Sequence, residues 1–381
     1  MLTMRATLFA ALALVLAGGQ TSPTRSSPLS PWVLDHAALA ANSPSQKFEF
    51  RAGAWVSLHH FLYVLGRARN DTPDSHRDAV VKAPADVEGL SARSVEERAA
   101  WDEALRFYAD GLSKKDAVFD RDLVKVTAAL ASAETRSDLS GLGLDPPLVA
   151  TLERVMPIYR AVWWPRHSDA NTARQRELQA QLDAHGDAAV QRLTALYGMT
   201  WPDRPRIIDL VAYATWAGAY STDGGLIVAS SLDDSQRGPL GLEILLHESS
   251  HQWDEAIEGR IARVAAAHGT KPPRDLSHML IFYTTGEVVR ELVPGHVPYA
   301  VKYGLWERGG LRGMKPVLDA WWQPYLRGSG TFDDALTAVL AHLIVPQQGH
   351  HRLPVSDPDF CSGCKNQDLT PKATRCVTCS V

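Results

Sequence analysis

The chain has 381 residues, 45% of them hydrophobic and 22% charged, an ordinary globular composition long enough for one large domain or two medium ones. Its formal net charge of -4 carries none of the basic excess typical of nucleic-acid binders, so no nucleic-acid partner is expected. The 11 tryptophans point to sizeable buried aromatic clusters.

Residues 1–19 read as an export signal: Arg5 supplies a positive start, residues 8–17 form a short apolar run, and the small residues Ala17, Gly18 and Gly19 follow. The alternative for this segment is an uncleaved amphipathic start or a membrane anchor. No later run reaches about 18 uninterrupted apolar residues, so no stable membrane insertion is expected. Residues 20–46, rich in Ser, Pro and Thr, form a flexible lead-in.

A helical region follows over 47–200. The stretch 54–65 is strongly apolar and contains His59 and His60. Amphipathic helices are expected at 94–112, 120–132 and 147–164, and a long surface helix at 169–196. His59, His60 and His167 read as satisfied structural histidines rather than ligands.

The period changes after residue 200. Residues 206–220 have strand character, 221–225 give a turn signal, and 226–230 form a second apolar run, so a β-hairpin is expected. Pro239 suits the first turn of a helix running to about 258, with Gly259 past its end. Another helix spans 277–293, stopped by Pro294 and Gly295. A third starts at Thr331, which forms a capping-box pattern with Asp334. The strands are few and lie together, so the fold class is α+β, mostly helical.

The chemistry centres on Leu245-Leu246-His247-Glu248-Ser249-Ser250-His251. Histidines at i and i+4 share one helix face and can reach a single metal ion. Glu248 lies about 100° around the helix from His247, beside the metal rather than on it, where it can act as a general base. This arrangement resembles the HExxH motif of the zincin metallopeptidases, and the hairpin before it resembles the strand that lines the zincin cleft. The resemblance covers two helices and a hairpin. It implies a zincin-like catalytic unit over 201–345, one catalytic Zn²⁺ and a peptide or protein substrate.

A catalytic zinc takes three protein ligands and an open position. The metzincin pattern is excluded, because Asp254 and Ile257 stand where it needs Gly and His. A gluzincin-like reading implies a Glu from a later helix. Glu287 is the choice, with Glu291 one turn on as the carboxylate orienting a ligating His. The rival on the same helix is His278, nine residues earlier and on nearly the opposite face, so both cannot face one metal if the helix is continuous. Glu255, His296 and His342 are further candidates. The bland reading of Glu287 is a solvent-facing partner of Arg290 or Arg308. Gly286 beside it is odd within a helix and reads either as a point where another backbone approaches closely or as a simple weak point. For a developing oxyanion the resemblance implies a downstream donor among Tyr299, Tyr303 and His296, with Tyr303 preferred.

Residues 346–381 read as a linker and a Cys-rich tail. Cys361, Cys364, Cys376 and Cys379 form two CxxC pairs, consistent either with a second, structural zinc or with two disulfides in an oxidising compartment. The chain is therefore expected to be an exported zinc metallopeptidase, periplasmic or extracellular, with catalytic Glu248 and Tyr303 and metal ligands His247, His251 and Glu287. The alternatives are a non-catalytic exported binding or scaffold protein with an incidental or vestigial HExxH, and a metal-storing or metal-delivering protein.

Overall fold

Apolar and polar side chains alternate in Phe48–Arg51, and this segment is a strand, β1, where helix onset was expected. The computed structural model describes residues 47–70, 89–222 and 225–344. The expected signal, the lead-in and the Cys-rich tail with its second zinc lie outside the described residues.

Helix α1 (Ala54–Arg69) follows β1 and is buried along most of its length. Next come α2 (Val95–Asp110), opened by a complete capping box between Ser94 and Glu97, then α3 (Arg121–Ser132) and α4 (Pro146–Val162). Helix α5 (Trp164–Tyr197) has Pro165 in its first turn and ends on Gly198 in the left-handed conformation.

The run 206–220 is not one strand. After β2 (Arg206–Val211) the chain leaves the sheet, and a turn closed by Gly218, at φ 73°, sends it back as β3 (Ala219–Ser221). β4 (Leu226–Ser230) pairs antiparallel with β3, which is the expected hairpin, but parallel with β2. The sheet order is β1-β2-β4-β3, with β1 parallel to β2, so β3 forms an edge.

The two sheet faces carry two cores. Val211, Tyr213, Tyr220 and Val228 pack with α1 to α4, and Ile208, Leu210, Ala219 and Ile227 pack with α5 and everything after the sheet. On that second face lies α6 (Pro239–Ser250), in which every residue after Pro239 is buried. A helix apolar on all sides belongs in an interior. It does not run on to 258: one 3₁₀ turn at His251–Trp253 separates it from α7 (Asp254–Ala267). Gly259 falls inside α7 on its exposed face, where a helical glycine costs only about 1 kcal/mol. Helix α8 (Leu276–Leu292), α9 (Met314–Trp321) and α10 (Phe332–Ile344) complete the layer, and Thr331 and Asp334 make the reciprocal bonds of the expected capping box. The architecture is mostly helical with a small mixed sheet, an α+β fold. Among the described residues no helix is long and apolar enough to cross a membrane.

On the α1 to α4 side each buried histidine meets a tyrosine hydroxyl, although His59 Nε2 is left without a partner. His59 Nδ1 lies 2.9 Å from the Tyr108 hydroxyl, His60 Nε2 2.9 Å from that of Tyr220, and His167 Nδ1 3.0 Å from that of Tyr159. All three are buried and structural, as read from the sequence.

Asp209, central in β2, is the exception. It is fully buried, and neither carboxylate oxygen has a hydrogen-bond partner. Burial raises its pKa from 3.8 to about 7, against the pull of Arg51 opposite it on β1 and helped by Glu134 and Glu49. The fold thus favours the protonated form. Its contribution to stability is full below about pH 4 and is lost as pH rises through about 7, by at most roughly 4 kcal/mol at 1.36 kcal/mol per tenfold change. Asp209→Asn removes the titration. Urea unfolding is expected to find the variant more stable than the native chain at pH 8, with the gap closing toward pH 4.5. A gap that does not change with pH would show that Asp209 is ionised throughout.

Candidate metal centre

His247 and Glu248 occupy the last turn of α6, and His251 follows in the 3₁₀ turn that retains the one-turn offset. The two serines between them are buried. Each returns its hydroxyl to a helix carbonyl, Ser249 to Leu245 at 2.6 Å and Ser250 to Leu246 at 2.8 Å, so neither competes for a ligand. The third imidazole comes from α8. His278 Nε2 lies 3.1 Å from His247 Nε2, which lies 3.2 Å from His251 Nε2. One ligand nitrogen from each of the three lies within 4.8 Å of the others, a set that can hold a metal ion.

The environment keeps two of the three imidazoles neutral, the form that metal ligation requires. Burial, then the neighbouring histidines, hold His247 well below the usual range. Burial and His251 push His278 down to about 3. For His251 burial acts downward, but the Asp254 hydrogen bond and the charges of Glu248 and Asp254 outweigh it, and the net direction is upward. Asp254 Oδ2 lies 2.9 Å from His251 Nδ1. A carboxylate there fixes the Nδ1–H tautomer and turns the Nε2 lone pair toward the shared centre.

The approach of α6 to α8 depends on Gly286. A Cβ there would lie 3.0 Å from Glu243 Oε1 and 2.8 Å from Pro298 Cβ. The close approach expected of this glycine is therefore to two side chains. Glu243 is fully buried on α6. It accepts the Tyr299 amide at 2.9 Å and stands 2.6 Å from His296 Nε2. Phe282, one turn after His278, packs its ring 4.2 Å from that of His247 and closes the apolar side.

Glu248 is buried next to the trio. Burial raises its carboxyl, while the charge of His251 and hydrogen bonds from the side chain and backbone of Ser221 on β3 act the other way; the net shift is upward. A carboxylate tuned upward by burial suits proton transfer near neutral pH. The trio and Glu248 open onto a cleft of about 2110 Å³ that runs beside β3 and also meets Arg206 and Tyr299.

Three sequence expectations are corrected. Glu287 is not with the histidines. Helix α8 is continuous, and by presenting His278 to the centre it turns Glu287 away, where it pairs with Arg290 and accepts from Gln323 at 3.0 Å. Glu291 makes an ion pair with Arg192 at 3.3 Å, and the carboxylate that orients a ligand is Asp254. Tyr303 does not line the cleft; its hydroxyl donates to the Ser235 carbonyl at 3.3 Å, and Tyr299 is the tyrosine that reaches the cleft. Among the other candidates, His296 is committed to Glu243, His342 stacks on Trp321, and Glu255 is exposed at the cleft. Asp254 was legible as the residue three after His251 on a helical path, but only its conflict with the metzincin pattern was read. No known protein family, curated protein or solved structure matches the chain.

The ligand assignment separates cleanly by substitution. Metal analysis after loading is expected to find one zinc fewer per chain in His251→Ala and His278→Ala than in the native chain, and no loss in Glu287→Ala. Asp254→Asn should keep the site but weaken it about 10- to 100-fold in a chelator competition, the range for a carboxylate that orients a ligand. Retention by His278→Ala with loss in Glu287→Ala would restore the gluzincin-like ligand set.

Proposed function

We propose that this chain is an exported zinc-dependent hydrolase, a metallopeptidase of zincin type. The observation that carries the reading is the juxtaposition of three convergent imidazole nitrogens with a buried carboxylate, Glu248, at the floor of one large cleft. Three neutral nitrogen ligands with room for a fourth group suit a catalytic zinc, whereas a closed structural site would supply four protein ligands. Bound there, zinc supplies Lewis acidity, acidifying water and polarising a carbonyl.

The chain's own residues supply the rest. Glu248 accepts a proton from the attacking water and returns it to the departing amine. Ser221 steadies that carboxylate from β3. Asp254 holds His251 in its ligating tautomer, and Phe282 excludes water from the apolar side. Tyr299 lines the cleft with its hydroxyl 3.2 Å from Ser235 Oγ, and burial raises its pKa to about 12, so it remains a hydrogen-bond donor for a developing oxyanion. A peptide is favoured as substrate because the cleft runs along β3, a sheet edge on which an extended chain can lie. Export rests on the sequence of residues 1–19.

Glu248→Gln tests the reading. The variant is expected to retain zinc and to lose at least about 100-fold in turnover of a quenched peptide library, the scale of a missing general base. If zinc-loaded native protein cleaves nothing in such a library while binding peptides as tightly as the variant, the scaffold reading takes its place.

A further inference from the structure

Arg206 opens β2, and its side chain lies on the sheet face that carries α6. It is 9% exposed and lines the cleft. Its Nε has no hydrogen-bond partner, and among the described residues no carboxylate pairs with it. The charged group near enough to shift it is Arg204, of the same sign. Arg206 is also close enough to His251 for its charge to oppose protonation there, which places the guanidinium in the same part of the cleft as the metal ligands.

Arg174, buried more deeply, meets Glu177 at 3.1 Å and the Gln236 carbonyl. Arg206 has no such carboxylate among the described residues. Gly225, at φ 83°, lies against the guanidinium, and a Cβ there would stand 2.8 Å from one terminal nitrogen. Burying an uncompensated guanidinium is costly, and the cost is recovered when a carboxylate arrives to make a charge-assisted, bidentate pair.

We propose that Arg206 forms an anion subsite that selects substrates carrying a carboxylate close to the scissile bond. The group is either the chain's C-terminal carboxylate or the side chain of an acidic residue. The proposal rests on the metallohydrolase reading of the trio and deepens it. It makes the enzyme either a carboxypeptidase or a peptidase with acidic preference, and it assigns Arg206 a positioning role that leaves the proton transfer to Glu248.

Three hydroxamates on one scaffold, titrated into zinc-loaded protein, test this. One ends in glycine with a free carboxylate, one in glutamic acid α-amide with only its side-chain carboxylate, and one in glycinamide with neither. One of the first two is expected to bind at least tenfold tighter than the third, and which one identifies the source of the carboxylate. In Arg206→Gln the preference is expected to collapse below threefold, with Arg206→Lys keeping part of it. Equal binding of all three by the native protein, or a preference that survives Arg206→Gln, overturns the proposal. A metal-independent readout separates it from the reading beneath it: phenylglyoxal labelling of Arg206 in metal-free protein, followed by mass spectrometry. Protection by the free-acid compound or its glutamate counterpart, but not by the amide, together with hydroxamate binding no tighter to zinc-loaded than to metal-free protein, would leave the subsite standing and remove the metallohydrolase. Hydroxamate binding without preference or protection would do the reverse.

Discussion

Three imidazole nitrogens that face one another at hydrogen-bonding distance form an arrangement that neutral rings do not adopt for their own benefit. At His247 Nε2, with His251 at 3.2 Å and His278 at 3.1 Å, the single N–H or lone pair of a neutral ring can complete a hydrogen bond with only one of the two neighbours. Adding a proton is opposed by burial at two of the three rings. A metal ion would satisfy all three nitrogens, and the surrounding structure holds the rings within reach of one. Helix α6 is buried throughout because it brings two of them to the centre. Gly286 lets α8 come close enough to bring the third. Asp254 fixes the His251 ring through its Nδ1.

The legible part of the molecule is the part written in short-range pattern. The helices around the sheet follow apolar periodicity, and α8 differs from its expected limits by one residue at each end. His247, Glu248 and His251 are a local motif whose spacing alone sets their geometry. The third ligand is different in kind, because it depends on which face of α8 meets α6. That is a packing outcome decided by Gly286, Glu243 and Pro298, which are distant from one another in sequence. The sequence did contain the relevant constraint, since nine residues on a continuous helix separate the faces of His278 and Glu287. Choosing between them needed the partner surface. The resemblance to gluzincins favoured the carboxylate, and the packing turned it toward Arg290 and Gln323.

The sheet was hard to read for the same reason. β1 has four residues and β3 three, too few to establish a period of two, and β1 pairs with a strand far along the chain. Phe48 meets Arg206 across roughly the length of the whole helical region, and β2 meets β4 in parallel although a hairpin turn lies between them in sequence. Only the β3–β4 pair is a local event, and it is the pair that was expected.

The distribution of satisfied and unsatisfied polar groups separates scaffold from site more sharply than the helix pattern does. In the core of α1 to α4, each of three buried histidines is matched to a tyrosine hydroxyl, and their rings pack edge to face with Phe61 and one another. On the other side of the sheet, Glu243 is equally buried and equally matched, by the Tyr299 amide and His296. Apart from His59 Nε2, which is buried without a partner, those groups are spent on one another. At the cleft the accounting is open: His247 Nδ1 and Arg206 Nε are buried without partners, and the Nε2 atoms of the trio have only one another. Buried atoms without partners also occur at His59, Asn171 and Asp209, none of which lines the cleft; what sets the cleft apart is that a cation and three convergent imidazole nitrogens share it, where a metal and an anionic substrate group would meet.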